Sequence, residues 1–164
     1  MRVLLTTLDR IAEVLAFIAG ATLFVLMAMT FTDVVLRSVF NAPLEAAAEL
    51  TRIFMAVIVF TVLPVVSAKG DHISVDLMDP LFGPWASRLR DGLVSLLCGV
   101  ALLWPAERIM VLAERARSYG DVTEFLHIPD FYAGWMIAIF TGLAAVALAL
   151  RGLAILIWAG AGRD

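Results

Sequence analysis

Charged residues along this chain fall in clusters, and long stretches between the clusters carry none. Residues 14–32, 53–68, 92–106 and 131–150 are free of Asp, Glu, Lys and Arg. A helix of roughly 20 residues, rising about 1.5 Å per residue, crosses a hydrocarbon core of about 30 Å. The first and fourth runs reach that length unaided, and the second does so once residues 46–51 are added as its first turns. The third is the shortest; Glu107 and Arg108 just beyond it are expected at the membrane interface or against protein. The pattern predicts an all-α membrane protein, a single domain over 1–164 with spans near 12–36, 48–68, 91–112 and 130–158. A cleaved signal peptide fits the first run poorly, so a retained helix is expected there.

Between the second and third spans, residues 71–78 alternate apolar with polar, which by itself suggests a strand. A lone strand beside lipid leaves its backbone groups unpaired, and Ile73, Leu77 and Leu81 also share one helical face. An interfacial segment is therefore expected, with Phe82, Trp85, Arg88 and Arg90 at headgroup level. Two lines of small residues recur at four: Ala12, Ala16, Gly20 and Gly134, Ala138, Gly142. Such lines allow helices to approach closely.

The most patterned polar stretch, residues 33–52, lies between the first two spans. Asp33 and Arg37 are four apart and share a helix face, so they can pair. Glu45 and Glu49 are also four apart, and Glu49 stands three before Arg52. Between them Asn41-Ala42-Pro43 interrupts the helix, because proline cannot donate to the ladder and disfavours helix in the residue before it. The expected local structure is helix, turn, helix.

Composition narrows the function. With 62% hydrophobic and 16% charged residues in 164, the chain has more apolar surface than a soluble domain of this size could bury. The net charge of −3, with no basic block, suggests no nucleic-acid partner. The single cysteine, Cys98, permits no internal disulfide and reads as a small hydrophobe. His72 and His127 both fall outside the spans, which argues against axial haem ligands. His72 with Asp71, Asp76 and Asp79 is the one cluster of metal-ligand type, and an ordinary solvated interface is the reading preferred for it. No nucleophile with a base and no glycine-rich phosphate loop is visible, so no catalytic residue, cofactor or metal is assigned. A proton-coupled exporter calls for a carboxylate deep in a span, and none of the four uncharged runs holds one. Seven of the twelve Lys and Arg fall on the side of the termini, which favours cytoplasmic termini.

Asp33, Val34, Arg37, Phe40, Asn41 and Pro43, followed by Glu49, Leu50 and Arg52, resemble a family signature of the form DV-x-x-R-x-x-F-N-x-P with E-L-x-R. That signature is the one of the small membrane subunit of tripartite ATP-independent periplasmic (TRAP) transporters, the DctQ-like family. Gly70, His72, Ile73, Val75 and Asp76 are similar to its G-x-H-I-x-V-D segment, and Leu126, Ile128 and Pro129 to its L-x-I-P. This chain departs at Ala46, where many members carry tryptophan, in lacking a proline in the fourth span, and at His127, a position that is often glycine.

The resemblance implies a non-catalytic scaffold in a bacterial inner membrane, multi-pass, with both termini cytoplasmic and membrane lipid around it. Its partners would be a large multi-span permease subunit, sodium-coupled, and a periplasmic substrate-binding protein that delivers an organic acid such as a dicarboxylate. On that topology residues 33–52 and 113–129 face the periplasm. Asp33, Arg37, Asn41, Pro43, Glu49 and Arg52 are then expected to hold the first two helices together or against the large subunit. Gly70, His72 and Asp76 form a cytoplasmic-interface motif, and Glu114, Asp121 and Glu124 a docking rim. The rival is an independent four-span protein, either a homo-oligomeric small exporter or an intramembrane enzyme binding a lipid or quinone.

Overall fold

The computed structural model describes residues 2–69 and 84–161. Gly70, His72 and Asp76, with most of the expected interfacial segment, lie outside the described residues. Each uncharged run lies within a helix, and flanking residues extend it at one end or both, because a helix keeps its backbone bonded whether lipid or water surrounds it. The four helices are α1 (Arg2–Phe40), α2 (Ala47–Lys69), α3 (Pro84–Tyr119) and α4 (Asp130–Ala161). All four are long and apolar enough to cross a membrane. Pro64 and Pro105 sit inside α2 and α3 without ending them. The connector expected from residue 113 begins later, since α3 continues to Tyr119 and stops at Gly120, whose φ of 71° suits glycine.

The helices do not close into a bundle. α1 packs on α2, α2 on α4, and α4 on α3, the last contact being the most extensive. Lipid tails are as apolar as the side chains, so association between these helices depends on close backbone approach rather than on hydrophobic burial. The α3–α4 seam shows how that is achieved. On α3 the buried positions are Gly92, Gly99, Ala106 and Ala113, seven residues apart, and on α4 Ala138, Ala145 and Gly152 repeat at the same interval. A seven-residue repeat keeps one face turned to its neighbour along a left-handed crossing. A Cβ added at Gly99 would fall 2.6 Å from the Ala149 nitrogen, and one at Gly152 2.6 Å from the Leu96 nitrogen.

α1 follows the same rule, with Ala12, Ala19 and Asp33 buried on one stripe at multiples of seven. The expected lines at intervals of four are only partly realised. Ala16 is exposed and Gly20 has nothing near it, so α1 does not pack through that line. Gly134 and Ala138 do enter the α3–α4 seam, but Gly142 faces open space. The seam also sets the vertical register of the hairpin. Gly134 lies beside Ala113, Gly99 beside Ala145 and Ala149, and Gly92 beside Gly152 and Leu156. Glu107 and Arg108 therefore stand level with residues 139–140 of α4.

Candidate functional site

The α1–α2 turn and the α3–α4 loop stand at the same end of the row, and two buried carboxylates organise that end. Asp33 is placed about two turns before the end of α1, where its side chain points into the α1–α2 junction. One oxygen accepts from Arg37 at 3.0 Å, the pair that four-residue spacing predicts, and the other accepts from the Leu44 amide at 2.8 Å. The chain reverses between them through Asn41, whose φ of 50° is a left-handed conformation that asparagine tolerates. The Ala42 amide then closes on the Leu36 carbonyl at 3.2 Å. Pro43 follows in the turn, and Leu44 precedes the first residues of α2. Asp33 thus ties the turn down to α1, while Arg37 remains largely exposed on the outside.

Glu49, in the first turn of α2, does not pair with Arg52 as the three-residue spacing suggested. Its carboxylate reaches across to the α3–α4 loop, where Oε1 accepts from the Phe125 amide at 2.8 Å and Oε2 from the Leu126 amide at 3.1 Å. Arg52 is exposed and makes no ion pair among the described residues. The loop is shaped to present those two amides. Thr123 donates its amide to the Ile128 carbonyl at 2.9 Å, and the Ile128 amide returns to Thr123 Oγ1 at 3.1 Å. Asp130 donates to the Asp121 carbonyl at 3.1 Å, so the loop is stitched at its base while its tip, residues 124–127, turns toward α2. His127 holds that tip with a φ of 53°, which explains why glycine suits the position.

Two consecutive amides aimed at one carboxylate are charge-assisted bonds, stronger than neutral ones. This contact joins the first hairpin to the second across 76 residues of chain, and nothing in the local spacing of residues 33–52 announces it. The signal available in the sequence is one-sided: an acid at the start of an apolar helix, with nothing to mark the amides that it meets.

Of the expected docking rim, Glu114, Asp121 and Glu124 are all exposed at this end. Glu114 pairs with Arg117 at 3.3 Å. Arg117, which the sequence reading passed over, also lies 5.4 Å from the Trp135 ring and 6.0 Å from the Phe131 ring. Cations over aromatic faces are held electrostatically, so Arg117 pins the last turn of α3 to the first turns of α4. An open groove of about 470 Å³ runs down from the rim between Tyr119, Arg115, Asp121 and Asp130 above and Ile109, Leu112 and Gly134 below. No group of three or more metal-ligating side chains occurs among the described residues. What the arrangement does is mechanical: it locks four helix ends into one rim and leaves the sides of the row free.

A family model for the DctQ component of tripartite ATP-independent periplasmic transporters matches residues 26–157. The match begins within α1 and takes in both turns, both carboxylates and all of α2 and α3. No curated protein matches the chain.

Proposed function

Since this chain belongs to the DctQ component family of TRAP transporters, and is therefore the small membrane subunit of such a transporter, we propose that it braces the large permease subunit and helps dock the periplasmic binding protein. The observation that carries this reading is the Glu49 bridge. A brace has to hold its own shape while a partner moves, and Glu49 makes the two hairpins one body at the rim. The long exposed apolar sides of α1, α3 and α4 suit a protein that is surrounded by other helices and lipid.

In this reading the rim faces the periplasm and both termini the cytoplasm of an inner membrane. Asp33, Arg37, Asn41, Pro43 and Glu49 keep the first two helices in register with the second hairpin, and Arg52, exposed and without an ion pair among the described residues, faces the large subunit. Glu114, Asp121 and Glu124 give the docking surface its negative character, which would meet a basic patch on the binding protein. Cargo is a sodium-coupled organic acid recognised by the binding protein and the permease, and this chain carries none of the transport chemistry. The same topology assigns the motif residues Gly70, His72 and Asp76 to the cytoplasmic interface.

Deleting the chain from its native cell tests the reading. Loss of the large permease from membrane extracts, together with loss of binding-protein-dependent organic-acid uptake, is the expected result. Undiminished permease and uptake would overturn it. Within the complex, neutralising Glu114, Asp121 and Glu124 should weaken delivery and its salt dependence with assembly intact; unaltered delivery removes the docking role.

A further inference from the structure

Depth in the membrane is set by the shortest helix. The candidate span of α2 has 22 residues, about 33 Å at the usual rise, so nearly all of it is needed to cross a core of about 30 Å. Its first turn is fastened by Glu49 to Phe125 and Leu126, just ahead of the start of α4. The tops of α2 and α4 therefore stand level, and the slab takes the uncharged run 131–150 of α4. The glycine contacts transfer this level to α3, where Glu107 and Arg108 come opposite residues 139–140. That is the middle of the slab, not its edge.

Both side chains are exposed, and neither forms an ion pair among the described residues. Arg108 has apolar neighbours one turn away on its own helix, Trp104 and Leu112. It stands eight residues below the level of residue 116, about 12 Å by helix rise, whereas cations snorkel to water from near a helix end. Lipid is therefore a poor surrounding for this face. Its shape points the same way. Leu97, Ala101, Trp104, Arg108, Val111 and Arg115 alternate at four and three residues, all exposed, on the side of α3 opposite the glycine seam. α3 thus carries two seams of heptad spacing, one filled by α4 and one open, with Trp104 76% exposed in the open one.

We propose that the open seam of α3 is the face covered by the large permease subunit, and that this subunit supplies a carboxylate within the membrane opposite Arg108. The proposal rests on the scaffold reading and adds to it the contact surface and the chemistry of the contact. A second copy of this chain would bring Glu107 and Arg108 of both copies together at equal depth across a twofold axis, and the test below distinguishes it from the permease, the partner that the family assignment supplies. A different chain with an intramembrane acid relieves the charge and fills the seam beside Trp104.

The test uses the full chain in native membranes, with a photo-crosslinking residue at Trp104 or Val111 and, for comparison, at Leu143 or Leu150 on the exposed stripe of α4. Adducts to the permease from the α3 positions, in clear excess over the α4 positions, are expected. Arg108→Leu, a change that favours insertion of the chain, should lower the permease recovered with it by about tenfold or more, as loss of one partner in a buried charge pair does; Arg108→Lys should retain most of it. Adducts only to lipid or to a second copy, or undiminished recovery with Arg108→Leu, would overturn the proposal while leaving the scaffold reading standing. Failure of the unaltered chain to bring down any permease would instead overturn the scaffold reading, and this inference with it.

Discussion

Adding one methyl group at Gly99 should loosen the α3–α4 hairpin, whereas the same change at Gly142 should tighten the fold. In Gly99→Ala the new Cβ would lie 2.6 Å from the Ala149 nitrogen and 2.8 Å from the Ala145 carbonyl oxygen, where ordinary contact begins at 3.4 Å. Both neighbours are backbone atoms of α4 and cannot rotate aside. The helices must separate by nearly an ångström at that level, and a gap of about 0.5–1 Å forfeits a quarter to a half of the dispersion attraction across it. Overpacking of this kind costs about 1–3 kcal/mol. Against it stands the gain from replacing glycine inside a helix, about 0.5–1 kcal/mol. Taken at the middle of both ranges, the net loss is about 1 kcal/mol. At Gly142 nothing lies within 4 Å, so only the gain remains.

For a chain of this size, 1 kcal/mol corresponds to a shift of about 2–4 °C in Tm. Thermal unfolding in detergent micelles, followed by near-ultraviolet circular dichroism of the tryptophans, should show Gly99→Ala lower than the parent by a few degrees and Gly142→Ala slightly higher. Equal stability of Gly99→Ala and the parent, or a shift of both variants in the same direction, would refute the close-approach argument.

Glu49→Gln leaves one of the Phe125 and Leu126 amides facing a donor instead of an acceptor, so exchange of these two amides should accelerate by about tenfold or more; Arg52→Gln should leave them unaltered, and hydrogen exchange read by mass spectrometry distinguishes the two. His127→Gly should raise stability by about 1 kcal/mol, because a left-handed φ costs a residue with a Cβ that much; a lower Tm in thermal unfolding would contradict it. Arg37→Gln removes a pair whose arginine is mostly solvent-facing and should cost under about 1 kcal/mol. Asp33→Ala also strands the Leu44 amide and should cost about 1–3 kcal/mol; the ordering of the two Tm values checks this.

Most of the architecture is legible from charge spacing alone. Uncharged runs between charged clusters state where the membrane helices lie, and Asn41 with Pro43 states where the first pair turns. Local pairing is legible too when it is a matter of helix pitch, as with Asp33 and Arg37. Glu49 defeats the same logic, because the partner that satisfies it is a pair of backbone amides far along the chain, and amides carry no residue-type signature. The three-residue spacing of Glu49 and Arg52 therefore points to the wrong partner.

The lines of small residues at intervals of four mislead for a related reason. A spacing of four marks one face of a straight helix, but helices that cross at a shallow left-handed angle meet at every seventh residue, and Gly92, Gly99, Ala106 and Ala113 show that period. The depth of Glu107 and Arg108 was hidden as well. Read along α3 alone they sit past the end of an apolar run, and only the register of α3 against α4, together with the Glu49 contact, moves them to mid-slab. The sequence argument against a carboxylate deep in a span does not survive that register, so what separates the family's scaffold role from the exporter alternative is what the chain assembles with.

That question has a direct measurement: purification of this chain, tagged at its C-terminus, from mild-detergent extracts of its native membranes, with mass spectrometry of the proteins recovered. A scaffold subunit brings with it one large multi-span permease in near-equal amount. Recovery of this chain alone, as a stable homo-oligomer, would contradict the account.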